Sequence, residues 1–171
     1  MEIQPLNADA DIYGLIGLSG QRYQRAKKTE EAIHTIGEWN LQNDKKLEAL
    51  ELLMIEKVDS DVAIDALVKC IAILSNSPSS WLFNRTKQDV FQCFKVRNTA
   101  IKALEKIGAK AVRIVPTLAH RLQRLGLNSD REYDSYFDNI PLRLYDSSYE
   151  ECLTSAIEKI CEASALQLQK T

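Results

Sequence analysis

The sequence is poor in the residues that interrupt helices. Its 171 residues include only six Gly and four Pro, and alternating strand patterns are hard to find. No run approaches the roughly 18 consecutive apolar residues that a membrane span needs. The N-terminus, MEIQPLNADAD, lacks the basic head and apolar middle of a signal peptide. Together with a hydrophobic content of 45%, these absences predict one soluble, cytoplasmic, all-α domain over residues 1–171, with no membrane partner.

Motifs for catalysis and for metal binding are also missing. Glu31 and His34 have the E-x-x-H spacing, but a di-iron bundle needs a second copy and two further Glu. The H-E-x-x-H, G-x-S-x-G and P-loop motifs do not occur. The cysteines lack C-x-x-C spacing, which favours buried thiols over a zinc site or a redox pair; they are Cys70, Cys93, Cys152 and Cys161. The sequence therefore predicts no catalytic residue, no metal and no cofactor.

Positive charge is concentrated in the middle of the chain. The net charge is −2, yet residues 85–124 carry ten Lys or Arg and two acids. Such a segment predicts an electrostatic docking surface for an acidic partner, or else a solvated surface whose charges pair with acidic neighbours. Six of its cations form what we call the basic belt: Lys102, Lys106, Lys110, Arg113, Arg121 and Arg124.

Capping signals predict several helices in the first half of the chain. A loosely helical arm over residues 1–28 is expected to precede a helix that begins at Thr29, because two Glu follow this Thr. A second helix is expected from about Asp44. Asp59 and Ser60 supply the cap for a third.

Two further helices and a turn are predicted in the second half. One is expected over Trp81 to Phe94, with Trp81, Phe91 and Phe94 in the core. The next is expected over Val96 to Ile107. Gly108 suits the left-handed position that follows a helix end, and Pro116 fits the first turn of the following helix.

An Ala-Ile dyad recurs four times, each copy followed by an aliphatic residue three positions after the Ile. The copies are AIHTIG, AIDALV, AIKALE and AIEKIC, with Ile at positions 33, 64, 101 and 157. Spacings in the range of 20 to 50 residues indicate stacked helical units. The alternative is that Ala-Ile is simply a common helical dipeptide.

Residues 96–118, VRNTAIKALEKIGAKAVRIVPTL, resemble a HEAT-like repeat of the short type also found in phycobilisome lyases. The matching positions are Val96 and Arg97 at the start, Gly108 at the turn, and Val115 and Pro116 at the second helix. The resemblance implies a right-handed stack of antiparallel helix pairs, an α-solenoid of about three pairs plus a C-terminal capping helix. The second helices of such repeats commonly line a concave face that binds another macromolecule.

An inserted loop over residues 127–147 lengthens the last repeat spacing. Tyrosine-rich loops suit protein recognition, although the rings could instead pack back onto the helices. The aromatic residues in question are Tyr133, Tyr136, Phe137 and Tyr145.

These features together predict a non-catalytic protein-interaction module, a scaffold or adaptor. It would bind a protein with an acidic surface through the concave face, the basic belt and the aromatic loop. Two alternatives stay open. The resemblance permits a subunit of a bilin-lyase-like enzyme. The basic belt permits nucleic-acid binding, which the net negative charge disfavours.

Overall fold

The computed structural model describes residues 8–39, 42–75, 87–128, 136–137, 140–141 and 148–171. These residues form an all-α fold, as predicted. A 3-10 helix, Gly108–Ile114, joins the fourth and fifth helices. Within the predicted loop, β1 (Tyr136–Phe137) pairs antiparallel with β2 (Ile140–Pro141). The α-helices are α1 (Ala8–Gly37), α2 (Asn43–Ile55), α3 (Asp61–Ser75), α4 (Lys87–Ile107), α5 (Val115–Asn128) and α6 (Ser148–Gln169).

Helix α1 begins well before the predicted start at Thr29. Thr29 lies inside this helix, so the Thr-Glu-Glu sequence does not act as a cap. The physical reason is that residues 21–28, QRYQRAKK, are strong helix formers apart from Tyr23. They carry the helix without interruption into its buried part, which includes Ala32 and Ile36.

The helix α4 replaces the two helices predicted around Phe94, because no break separates the residues on either side of it. The prediction that Phe91 lies in the core is wrong, since its side chain is 53% exposed. The buried stripe of α4 runs through Val90, Cys93 and Arg97 at helical spacing, and Phe91 points away from it. Trp81 lies outside the described residues.

Helices α4 and α6 run in the same direction. Asn98 Nδ2 donates a hydrogen bond to Ser148 Oγ at 2.6 Å, and Ser155 Oγ donates one to Glu105 Oε2 at 3.0 Å. Both bonds join residues 50 positions apart. A constant sequence offset between contacting residues means that the two helices are parallel.

The four Ala-Ile dyads lie on α1, α3, α4 and α6. Helix α1 contacts α3, α3 contacts α4, and α4 contacts α6. The alanines of the dyads are all buried, and so are the aliphatic residues that follow them. These buried residues are Ala32, Ile36, Ala63, Leu67, Ala100, Leu104, Ala156 and Ile160, and they belong to one continuous hydrophobic core.

One lysine is part of this core. The side chain of Lys46 has 0% exposure, and its Nζ donates hydrogen bonds to the carbonyl oxygens of Ile36 at 3.1 Å and Glu38 at 2.7 Å. It therefore satisfies carbonyl groups that the end of α1 leaves without helical partners. Burial lowers the pKa of Lys46. Burial also raises the pKa of the nearby Cys70 thiol to about 11, although the charge of Lys46 opposes that rise.

A buried arginine joins α4 to the start of α6. Arg97 is 2% exposed, and its guanidinium carbon lies 3.6 Å from the ring centroid of Tyr149 and 4.9 Å from that of Phe94. Stacking on aromatic faces is a common way to accommodate a buried guanidinium. The arginine at the predicted start of the repeat thus stabilises the packing of α6.

Candidate functional site

The basic belt is partly neutralised by acids at the start of α3. Lys110 Nζ lies 2.6 Å from Asp59 Oδ2. Arg113 pairs with Asp61 at 3.3 Å and with Asp65 at 2.8 Å, and its hydrogen bond to Asp65 raises the pKa of the guanidinium. For Lys110 and Arg113, the structure therefore favours internal pairing, the alternative interpretation of the belt.

The other four belt residues differ in environment. Lys102, Lys106 and Arg124 are exposed, whereas Arg121 is half-buried and its Nε atom is buried without a hydrogen-bond partner. Within the described ranges, none of the four has a carboxylate at ion-pair distance. The belt cations without a carboxylate partner among the described residues thus lie on α4 and α5, before and after the paired ones in the sequence.

The aromatic loop contributes less information. Tyr133 and Tyr145 lie outside the described residues. Tyr136 and Phe137 form strand β1. A role in binding for these four residues stays a prediction.

An open groove of about 370 Å³ lies beside the paired part of the belt. It is bordered by the end of α2, the turn into α3 and the end of α4. The volume falls within the range of clefts that hold small molecules. Three lining residues are charged: Lys57, Asp59 and Lys106. The others are apolar: Leu53, Met54, Val58, Leu67, Ala103 and Ile107.

The charges at this groove do not cancel. The carboxylate of Asp59 is paired with Lys110. Lys57 and Lys106 are exposed, and no acid in the described part of the chain pairs with either. The groove therefore combines an apolar floor with two free positive charges.

The end of α2 shapes one wall of the groove. The Val58 N–H donates to the carbonyl oxygen of Leu53 at 3.0 Å, and the Lys57 N–H donates to that of Met54 at 3.4 Å. This pair of bonds is the Schellman arrangement, in which the residue after the cap is left-handed and is most often Gly. Lys57 occupies that position with φ of 52°. The two residues between which an apolar contact frequently accompanies this motif are Val58 and Leu53, and both line the groove.

The end of α4 also lines the groove. Helix α4 ends at Ile107, and Gly108 has φ of 69°, so the predicted left-handed glycine is confirmed. Pro116 lies in the first turn of α5, also as predicted. The glycine redirects the chain directly after Lys106 and Ile107, which both line the groove.

Sequence reasoning missed a second cationic region, on α1. Residues 20–28 are exposed. They contain Arg22, Arg25, Lys27 and Lys28 and no acid. That local imbalance of charge is readable from the sequence alone. These nine residues form one continuous exposed segment of α1.

Neither chemistry nor similarity assigns this site. No group of His, Cys, Asp and Glu in the described ranges could hold a metal ion. Among the helices that the structure describes, none has the length and hydropathy to cross a membrane. No protein-family model, curated protein or solved structure matches the chain. Its function must therefore be argued from the groove and the charges around it.

Proposed function

We propose that this chain is a non-catalytic interaction module that binds another protein at the groove between α2, α3 and α4. The observation that carries the proposal is an apolar groove bordered by Lys57 and Lys106, two lysines that no carboxylate of the described residues pairs with. Protein interfaces combine an apolar centre that excludes water with a polar, solvated rim. Most of their binding energy comes from a few side chains that fill such depressions.

The architecture we propose is the HEAT-like one, a right-handed stack of antiparallel helix pairs. Two observations support it. The alanines of the Ala-Ile dyads are buried at equivalent points of four helices that contact one another in chain order. Helices α4 and α6 also run in the same direction at a constant offset of 50 residues. Stacked repeats offer extended surfaces for binding a partner.

The partner we propose is a protein with an acidic surface, and the setting is the cytoplasm. In the described part of the chain, Lys57 and Lys106 have no acid at ion-pair distance, so an acidic partner would complement their charge. A nucleic acid is less suitable. Two of the belt cations are already occupied by aspartates, and phosphate backbones are bound by several free cations together. The four free thiols agree with a reducing compartment.

Affinity capture from a native lysate tests this proposal. The immobilised chain is compared with a groove variant, Lys57→Gln with Lys106→Gln, and with a charge-matched control, Lys45→Gln with Arg124→Gln. All three proteins should show the same thermal transition. We expect the groove variant to lose a partner that the control retains.

Two results would contradict the proposal. Loss of capture only in the control would move binding to the α5 part of the basic belt. Capture of nothing by the unmodified chain, combined with uptake of a linear tetrapyrrole followed by its absorbance, would favour the bilin-lyase-like alternative.

A further inference from the structure

The apolar wall of the groove restricts what can enter it. Six of its nine lining residues are apolar. A charged or polar group that reached this floor would lose its hydration without gaining a hydrogen bond, which is unfavourable. The group that enters the groove is therefore apolar. Any charge on the occupant stays at the solvent-exposed opening of the groove, which we call its mouth.

The mouth selects for negative charge. Lys57 and Lys106 are exposed and lack ion-pair partners in the described part of the chain. The only acid of the lining, Asp59, is held by Lys110 at 2.6 Å. Two carboxylates placed around the mouth would thus meet two lysines without facing a free carboxylate of the protein. This arrangement favours an occupant with one apolar group and acids on either side of it.

The backbone of Lys57 is a second, independent observation. Its φ of 52° is the only positive value among the non-glycine residues of the described chain. Gly would satisfy the same pair of helix-ending hydrogen bonds without steric cost. Strained residues cluster at active sites, ligand clamps and switch regions. The strain positions a lysine at the mouth of the groove, where no ion pair with a described residue requires one.

We infer that the groove receives one apolar side chain of an acidic, amphipathic segment of the partner, with the flanking carboxylates pairing with Lys57 and Lys106. This inference rests on the proposed function and specifies its chemistry. It also assigns Lys110 an indirect role. By holding Asp59, Lys110 prevents that carboxylate from repelling the partner at the mouth.

A defined peptide tests the inference. The probe is a fluorescent peptide of about 15 residues with blocked termini, near the minimum length at which an isolated helix forms in water. It is built from Ala and Glu with a single central Leu. Fluorescence anisotropy measures its binding. Replacing the central Leu by Ala should weaken binding about tenfold, the usual effect of removing a side chain from an apolar pocket.

Single substitutions in the protein separate the contributions of the individual lysines to peptide binding. Lys57→Gln and Lys106→Gln should each weaken binding several-fold and reduce its dependence on salt, whereas Lys45→Gln, on an exposed part of α2, should have no effect. Lys57→Gly should weaken binding as much as Lys57→Gln while its melting temperature stays the same or rises. Lys110→Gln should also weaken binding, because it frees Asp59.

The outcomes are distinguishable from those of the lysate experiment. If the lysate partner is captured through the groove but the Leu peptide neither binds nor competes with it, the inference is wrong and the proposed function stands. Equal binding of the Leu and Ala peptides would also overturn the inference, because it would show attraction by charge alone. If dodecanoate binds and the peptide does not, the groove is a site for small amphiphiles.

Discussion

Two helices that flank the groove end in a left-handed residue, but with different amino acids. Helix α4 is followed by Gly108 at φ of 69°, and helix α2 is followed by Lys57 at φ of 52°. Glycine adopts this conformation without steric cost, whereas a residue with a Cβ is strained there by roughly 1 to 2 kcal/mol. The glycine after α4 thus avoids backbone strain. The lysine after α2 lowers the stability of the fold slightly and places a positive charge at the groove.

The largest effect on stability is expected for Lys46, the lysine of α2 that donates hydrogen bonds to carbonyl oxygens at the end of α1. Lys46→Ala should lower the free energy of unfolding by about 2 to 4 kcal/mol, because it removes the hydrogen bonds to the carbonyl oxygens of Ile36 and Glu38 and empties the space of a buried side chain. Urea denaturation measures this loss. Lys57→Ala, at the other end of the same helix, is the contrast, and its loss should be much smaller. Equal losses of unfolding free energy in the two variants would contradict a structural role for Lys46 that Lys57 lacks.

At the left-handed end of α4, Gly108→Val should destabilise the protein by about 1 to 3 kcal/mol. A Cβ at this position would lie 3.4 Å from the Cβ of Ala163, an ordinary contact, so the cost comes from the backbone. Gly108→Asn is the control, since Asn tolerates the left-handed region better. If Asn and Val cost the same in urea denaturation, packing against α6 rather than backbone strain would explain the loss.

The buried surroundings of Lys46 also predict a dependence on pH. The pKa of Cys70 rises from 9.0 in the unfolded chain to about 11 in the fold, so above pH 9 the unfolded chain loses this proton first. Stability that is fully present below pH 9 is therefore lost as the pH rises toward 11. Lys46, whose pKa is lowered by burial, acts in the opposite direction.

The variant Cys70→Ala removes the thiol and keeps the Lys46 side chain, although it also removes the charge interaction by which Cys70 raises the pKa of Lys46. Between pH 8 and pH 10, the unmodified protein should lose about 1 kcal/mol of stability more than this variant. Denaturation under reducing conditions at both pH values measures the difference. Parallel pH profiles would show that the Cys70 thiol is not protected from ionisation.

The smallest effect on stability, and one of opposite sign, is expected at the end of α2. Lys57→Gly removes the backbone strain but gives the unfolded chain more freedom, so the two contributions largely offset each other. The protein should gain between zero and about 1 kcal/mol. A clear loss in urea denaturation would mean that the Lys57 side chain supports the fold, and the argument for a binding role would fail.

The sequence predicted the features that depend on neighbouring residues. The Ser60 cap is present, with Ser60 Oγ accepting the Ala63 N–H at 3.3 Å. The left-handed Gly108 and the position of Pro116 were also predicted correctly, because helix ends are encoded within a few residues. Thr29 was misinterpreted because a cap signal does not stop a helix whose preceding residues are themselves helix formers.

The groove could not be predicted, since it brings together residues that are distant along the chain. Arg113 meets Asp65 across 48 residues, and Lys57 shares a groove with Lys106. A count of charges cannot distinguish the paired cations of the belt from the free ones. Phe91 shows the same limit in the core, because its exposure depends on which face of α4 the other helices cover.

The central claim is that the groove, rather than the α5 part of the basic belt, is the binding surface. Methyl and amide NMR spectra of the labelled protein, recorded during titration with the captured partner or its acidic segment, test it most directly. The account predicts that shifts concentrate at Leu53, Val58 and Ile107. Shifts confined to the surface around Arg121 and Arg124, with the groove methyl signals unchanged, would contradict it.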